Sequence, residues 1–492
     1  MLAAVPISSI PSISSFTPQL RLILTYIHSN MAATRCTRPG CNNWAVTGSN
    51  TCHIHWNSKP KAGTTASEPE QVATVRFVNI TDWELWVKAD GQALKLELQQ
   101  LASQVNLQCL SETASALRSG IGCVCDPIAL SDGPTNFGGR HYHITIHFDD
   151  GVKWIARISR DHVGIPGSPQ RERVLLSEVA TMNFLRHNTK VSVPAVHDFA
   201  LAEDGKGVGV NYILMDYVDG QPMRLEEATI EQQERSSMPI LSPSIGSLTL
   251  EKPEDVGPLI HDDVADFNST GNLVPLGPFT DATEYYKARI ELVTSFICRR
   301  QLYARNPADG YLLHRYLADS IVSTPVGSGS SGVHDSRFYL KHMDDKGDQI
   351  LVDRDFNIVS VIDWEWAQTC PREEAFAAPL GLVEVIPFYE GDNSLSGYEQ
   401  TFVKILEAKG RGDLADLVRM GRRTQRLDVM IGGDIEDVSF KELFSGYLKL
   451  DPAYTEKCPS WEEWKAAMLL KYGGDEDLAK LLQEQAAAEA SN

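Results

Sequence analysis

The apolar positions of residues 141–218 change period twice. His141-Tyr142-His143-Ile144-Thr145-Ile146-His147-Phe148 alternates with a period of two and is rich in β-formers. Asp149-Asp150-Gly151 supplies a turn, and Val152–Ile158 reads as a second apolar strand. Over 169–187 the period becomes helical, with Leu175, Val179, Met182 and Leu185 on one stripe. Ala195–Ala202 and Val208–Val218 return to strand character on either side of Asp204-Gly205-Lys206-Gly207. Strand, strand, helix, strand, strand predicts a small antiparallel sheet carrying one helix.

The flanks are mostly helical. Upstream, Leu94, Leu98, Leu101 and Val105 recur at helical spacing within Asp90–Arg118, and Leu107–Leu117 continues the pattern. Downstream, 224–262 is polar, Pro-containing and aperiodic, and is expected to be an inserted surface segment. Helices are expected at 281–305 and 311–323, and Thr324–Ser336 is a Gly/Ser loop. Short strands at 350–353 and 358–362 flank Arg354-Asp355-Phe356-Asn357; the chain to 447 is mainly helical, and 474–490 is a Glu/Ala/Leu-rich helix. The expected fold class is α+β, with two lobes. The expected divisions are a leader (1–30), a Cys/His segment (31–57), a linker (58–74), a small lobe with its preceding helices (75–222), a mainly helical lobe (223–473) and a tail (474–492).

Charge narrows the partners. The net formal charge is −20, from 65 acidic and 45 basic residues. Five bases and no acid precede Glu68, which leaves 65 acids against 40 bases in the rest of the chain. Such a body repels nucleic acid and anionic membrane surfaces. No run approaches the ~18 apolar residues of a membrane helix. Nine cysteines, an odd number with no evenly spaced framework, fit a reducing compartment, so a cytoplasmic location is expected. The Ser/Pro-rich leader with its single Arg also loosely fits an organelle transit segment.

Candidate chemistry concentrates in Phe338–Glu365. His342-Met343-Asp344 opens a polar loop, and nineteen residues after Asp344 an apolar strand ends in Asp363-Trp364-Glu365. Phosphoryl transfer needs one carboxylate to orient the attacking hydroxyl and another to hold the magnesium that bridges the phosphates. A strand–turn–strand hairpin places both on one wall of a cleft. This stretch resembles the catalytic loop and metal motif of the aminoglycoside phosphotransferase and choline kinase family, whose fold is protein-kinase-like. The resemblance implies that Asp344 is the catalytic aspartate, His342 its support and Asp363 the magnesium ligand. Where the family places a magnesium-binding Asn, this chain has Gln349, with Asp348 adjacent as the alternative ligand.

The same resemblance assigns parts of the small lobe. Arg157 stands where the family usually has the phosphate-gripping Lys, and Glu178 is its expected helix-borne partner; Lys153 is a fallback cation on the same strand face. Gly138 and Gly139 precede the first clear strand, where a phosphate-covering loop belongs. Met215, Asp216 and Val218 fall at the interlobe hinge that would meet adenine.

A separate cluster lies at 36–55. Four residues separate Cys36 from Cys41 and two separate Cys52 from His55, with ten residues between the pairs. Three thiolates and an imidazole at this spacing make a structural zinc set, with His53 as the second choice for the fourth ligand. Twenty residues build no core of their own, so bound zinc would order them and offer a docking element for a protein partner. The expected activity is transfer of the ATP γ-phosphoryl group, with magnesium, to a hydroxyl of a small-molecule acceptor. Asp344, Asp348 and Glu365, with Trp364 and Trp366, suit an amine-bearing acceptor. The alternative is a non-catalytic kinase fold that serves as a binding module.

Overall fold

The computed structural model describes residues 92, 94–128, 138, 140–160, 167–223, 241–242, 244–251, 256–261, 264–323, 337–344, 347–432, 435, 440–454 and 457–491. The leader, the Cys/His segment with Cys36, Cys41, Cys52 and His55, the linker and Gly139 lie outside them.

A helix at 94–104 leads into α1 (Leu107–Leu117), whose N-cap Asn106 accepts the Cys109 amide. Five antiparallel strands follow: β1 (Cys123–Cys125), β2 (His141–Phe148), β3 (Lys153–Ser159), β4 (Val196–Ala200) and β5 (Tyr212–Asp216), in the spatial order β1-β2-β3-β5-β4. Helix α2 (Gln170–Asn188) enters between β3 and β4. The expected alternation therefore holds, with a short edge strand added in front. Period two sorts the side chains. Tyr142, Ile144, Ile146, Ala156, Ile158 and Leu214 fill an outer core against Leu98, Leu101, Leu110 and Ala114. The inner face, with Ile213 and Met215, receives Leu175, Val179, Met182 and Leu185 of α2. Each fully buried side chain of this size contributes ~1.5–3 kcal/mol.

From β5 the chain passes to β6 (Gln221–Pro222), and then to five short strands: β7 (Leu241–Ser242), β8 (Ser247–Leu248), β9 (Val256–Gly257) and the β10–β11 pair (Asp266–Phe267, Leu273–Val274). The expected surface insertion is corrected here for its described part. Ile245, Ser247, Leu248, Leu259 and Ile260 are buried. Their stretch is tied down by hydrogen bonds that carry no periodic sequence signal: Gly246 N donates to Thr369 Oγ1, Thr369 N returns to Gly246 O, and Gln170 Nε2 reaches His261 O. A Cβ on Gly246 would stand 2.0 Å from the Gly257 carbonyl, so only glycine permits this approach.

The second body is mainly helical. It contains α3 (Ala282–Cys298), α4 (Pro307–Ser323), a strand group β12 (Phe338–Lys341), β13 (Ile350–Val352), β14 (Ile358–Val361) and β15 (Gln368–Cys370), and then α5 (Arg372–Ala375) and α6 (Val385–Tyr389). Helices α7 (Gly397–Ala408), α8 (Gly412–Met420), α9 (Arg422–Ile431), α10 (Phe440–Leu448), α11 (Trp461–Lys471) and α12 (Glu476–Ser491) complete it. Reciprocal capping boxes, Ser396 with Glu399 and Ser460 with Glu463, start α7 and α11. β6 pairs with β13, so the segment that follows β5 is hydrogen-bonded into the second body. Among the described residues no helix is long and apolar enough to cross a membrane.

Behind β15 a buried carboxyl carries a pH signature. Glu374 accepts the Tyr286 hydroxyl at 2.8 Å, and burial together with Asp428 pushes its pKa up to about 7, with Lys341 and Arg289 opposing. Its folded value stands above the ordinary 4.5, so its contribution to stability is complete below that value and is lost as pH rises through about 7. Glu374→Gln should therefore flatten the fall in stability between pH 5 and pH 8 by ~1–3 kcal/mol, read as urea midpoints across that range. Parallel pH profiles for the two proteins would contradict this.

Candidate active site

Arg157 sits at the centre of the inner face. Period two turns it away from the outer core and toward α2, and the helical stripe turns Glu178 back to meet it. Both side chains are buried, with Arg157 Nε 3.3 Å from Glu178 Oε2. Arg157 Nη2 also holds Asp363 Oδ1, and stands 3.9 Å from Glu365 Oε1. The sequence-predicted pair therefore forms, and the metal-motif carboxylate joins it. Lys153 does not; it is exposed, with Nζ 5.4 Å from the Tyr217 ring.

The β13–β14 hairpin carries the other half. Gln349 Nε2 donates to Asp344 Oδ2 at 2.9 Å, while the buried Gln349 Oε1 has no partner. That orphaned oxygen is the atom a hard cation takes from an amide. Asp348, the alternative ligand, is exposed to solvent. His342 Nε2 donates to Ile362 O at 2.9 Å and its ring packs on Trp364, so it fastens the Asp344 loop to the strand that delivers Asp363. Asp363 itself adopts φ +67°, a left-handed conformation that a non-glycine residue holds only where its surroundings impose it.

The residues expected at the hinge lie at and just beyond the end of β5. Met215 is buried on β5; Asp216 accepts from His197 Nε2 (2.8 Å) and the Ala195 amide (3.0 Å); Val218 is half-buried just beyond. Gly138 N donates to His141 O at the start of β2.

Three carboxylates around one guanidinium set the electrostatics. Burial pushes Glu178 up to about 7 and Glu365 up to about 8, with Arg157 opposing both shifts. For Asp363 burial also pushes upward, but the charge and hydrogen bond of Arg157 win and hold it below the usual carboxylate range. Arg157 is raised: burial opposes its charge, and Glu178, Asp363 and Glu365 more than offset that.

Two expectations change. Trp364 and Trp366 are not acceptor platforms: both are buried, Trp364 donating to Val361 O and Trp366 packed under Arg140 (4.6 Å) and beside His261 (4.6 Å). An alternating strand end shows which residues share a face, not which wall that face meets. Glu365, expected near an acceptor amine, instead faces Arg157 and His141 (3.9 Å).

No protein-family model and no curated protein matches the chain. Among solved structures it is similar to an ethanolamine kinase of Plasmodium vivax, at 12% identity over 72% of this chain and 83% of that one, with a TM-score of 0.36. It is similar to a macrolide 2'-phosphotransferase type I at 14% identity over 75% and 98%, TM-score 0.34. An aminoglycoside phosphotransferase solved with AMP-PNP and hygromycin B gives 14% identity over 64% and 90%, TM-score 0.33. At TM-scores this low the likeness adds no weight, and the functional reading stands on the site's own geometry.

Proposed function

We propose that this chain is a kinase-like phosphotransferase that moves the γ-phosphoryl group of ATP to a hydroxyl of a small molecule. The observation that carries the reading is the convergence of Arg157, Glu178 and Asp363 from three separate elements on one point beside the Asp344–Gln349 hairpin. Arg157, fixed by Glu178, would grip phosphate oxygens with its planar fork. Asp344, oriented by Gln349, would take up the acceptor's hydroxyl proton as the oxygen attacks. Asp363 and Gln349 Oε1 would hold magnesium, which supplies neutralisation of the phosphate charge. The acceptor's class stays open, because the aromatic rings that suited an amine are buried.

A second reading, a nucleotide-free binding module, is favoured by one observation: Arg157 already occupies Asp363. Thermal melting separates the two. ATP should raise Tm only with magnesium, by mass action on the folded state, and Asp363→Ala should remove most of that increment. A wild-type melting curve indifferent to ATP and magnesium together would overturn the phosphotransferase and leave the module.

A further inference from the structure

Strand β2 places two imidazoles on the wall that carries Arg157. In the antiparallel register His143 lies opposite Arg157 and His141 opposite Ser159, and directly opposed residues share a face. Their neighbours Tyr142 and Ile144 fill the outer core, so the histidines are turned inward. His141 Nε2 is 3.9 Å from Glu365 Oε2, beyond hydrogen-bond reach. Among the described residues neither imidazole makes a hydrogen bond. Both residues are half-buried rather than sealed, so their unpartnered ring nitrogens are within reach of a ligand on this wall.

The chemistry of that ligand follows from the wall. Burial and the Arg157 charge hold both rings in the neutral form, His143 at about 4 and His141 well below its ordinary value. A neutral imidazole offers one N–H donor and a guanidinium offers several. Imidazole donors on β2 beside the Arg157 guanidinium on β3, which itself holds Asp363, suit a run of phosphate oxygens that brings a divalent cation with it. Among the described residues no group of three or more His, Cys, Asp and Glu side chains is arranged to hold a metal by itself, which sets the pair apart from a preformed metal site.

We infer that His141 and His143 are positioning residues for a di- or triphosphate, with His143 donating beside Arg157 and His141 farther along the chain of phosphates. This rests on the nucleotide-binding reading, and the test separates the two. Full-length wild type, His143→Phe, His143→Gln and His141→Phe are titrated calorimetrically with ADP, adenosine and inorganic tripolyphosphate, with magnesium present.

His143→Phe should weaken ADP and tripolyphosphate by about tenfold or more, the worth of a hydrogen bond to a charged group, and leave adenosine unchanged. His143→Gln, which keeps an N–H donor, should recover part of the loss and shows that the effect is not misfolding. Wild-type ADP affinity in both Phe variants would overturn the inference and spare the nucleotide reading. Equal losses for adenosine would also overturn it, since the histidines would then be structural. Tripolyphosphate binding that depends on His143 without any ADP binding would support the inference and overturn the nucleotide reading. Binding of neither compound by wild type would overturn both.

Discussion

Asp344→Asn should lower phosphoryl transfer by ~10²–10⁴, the range for a lost general base, while nucleotide affinity stays nearly unchanged. The substitution is nearly isosteric, and its Oδ1 can still accept from Gln349 Nε2, so the loop should keep its shape. What disappears is the ability to take a proton from the acceptor hydroxyl. The measurement is single-turnover transfer to whichever alcohol a screen identifies, alongside nucleotide titration. Undiminished transfer would remove Asp344 from the chemistry. A parallel loss of nucleotide affinity would mean that the loop, not the proton, had been disturbed.

Arg157→Met should destabilise the fold by about 3–5 kcal/mol, because removing one partner of a buried charge cluster strands the others. Here one guanidinium faces Glu178, Asp363 and Glu365, and two of these acids are almost fully buried. Met roughly matches the aliphatic stem, so the cavity term is small and the charge term dominates. Arg157→Lys restores the charge without the fork and should recover much of the stability but less of the phosphate affinity. Urea unfolding at neutral pH gives the answer. A midpoint for Arg157→Met close to wild type would show that the cluster does not form in solution.

The parts of this site that could be read from sequence are those with a recognisable motif or a period behind them. The motif resemblance singled out Arg157, Asp344 and Asp363, and the stripe of Leu175, Val179, Met182 and Leu185 supported an inward Glu178. Glu365 was seen, but its direction was not, since its orientation depends on Arg157 arriving from more than two hundred residues away. His141 and His143 were legible as strand residues only; their role as a facing wall depends on register with β3. The buried residues of 244–251 and 256–261 were illegible for another reason. Their order comes from the two-residue β8–β9 ladder and isolated bridges to Phe279 and Thr369, which are too short to leave a repeating pattern.

That stretch also bears on how the chain assembles during synthesis. Val174 of α2 packs with Ile260 and Trp366, and the α2 stripe meets Trp364 and Ala367. The helix is therefore translated well before the residues that cover it. At ~5–20 residues per second, the roughly 150 residues from the end of the sheet to Trp366 take on the order of ten seconds to emerge. Through that interval Val174 lacks its cover, and the sheet body holds α2 by Ile213 and Met215. A nascent chain stalled short of Trp366 would present an apolar helix face to chaperones, whereas one released just beyond it could close.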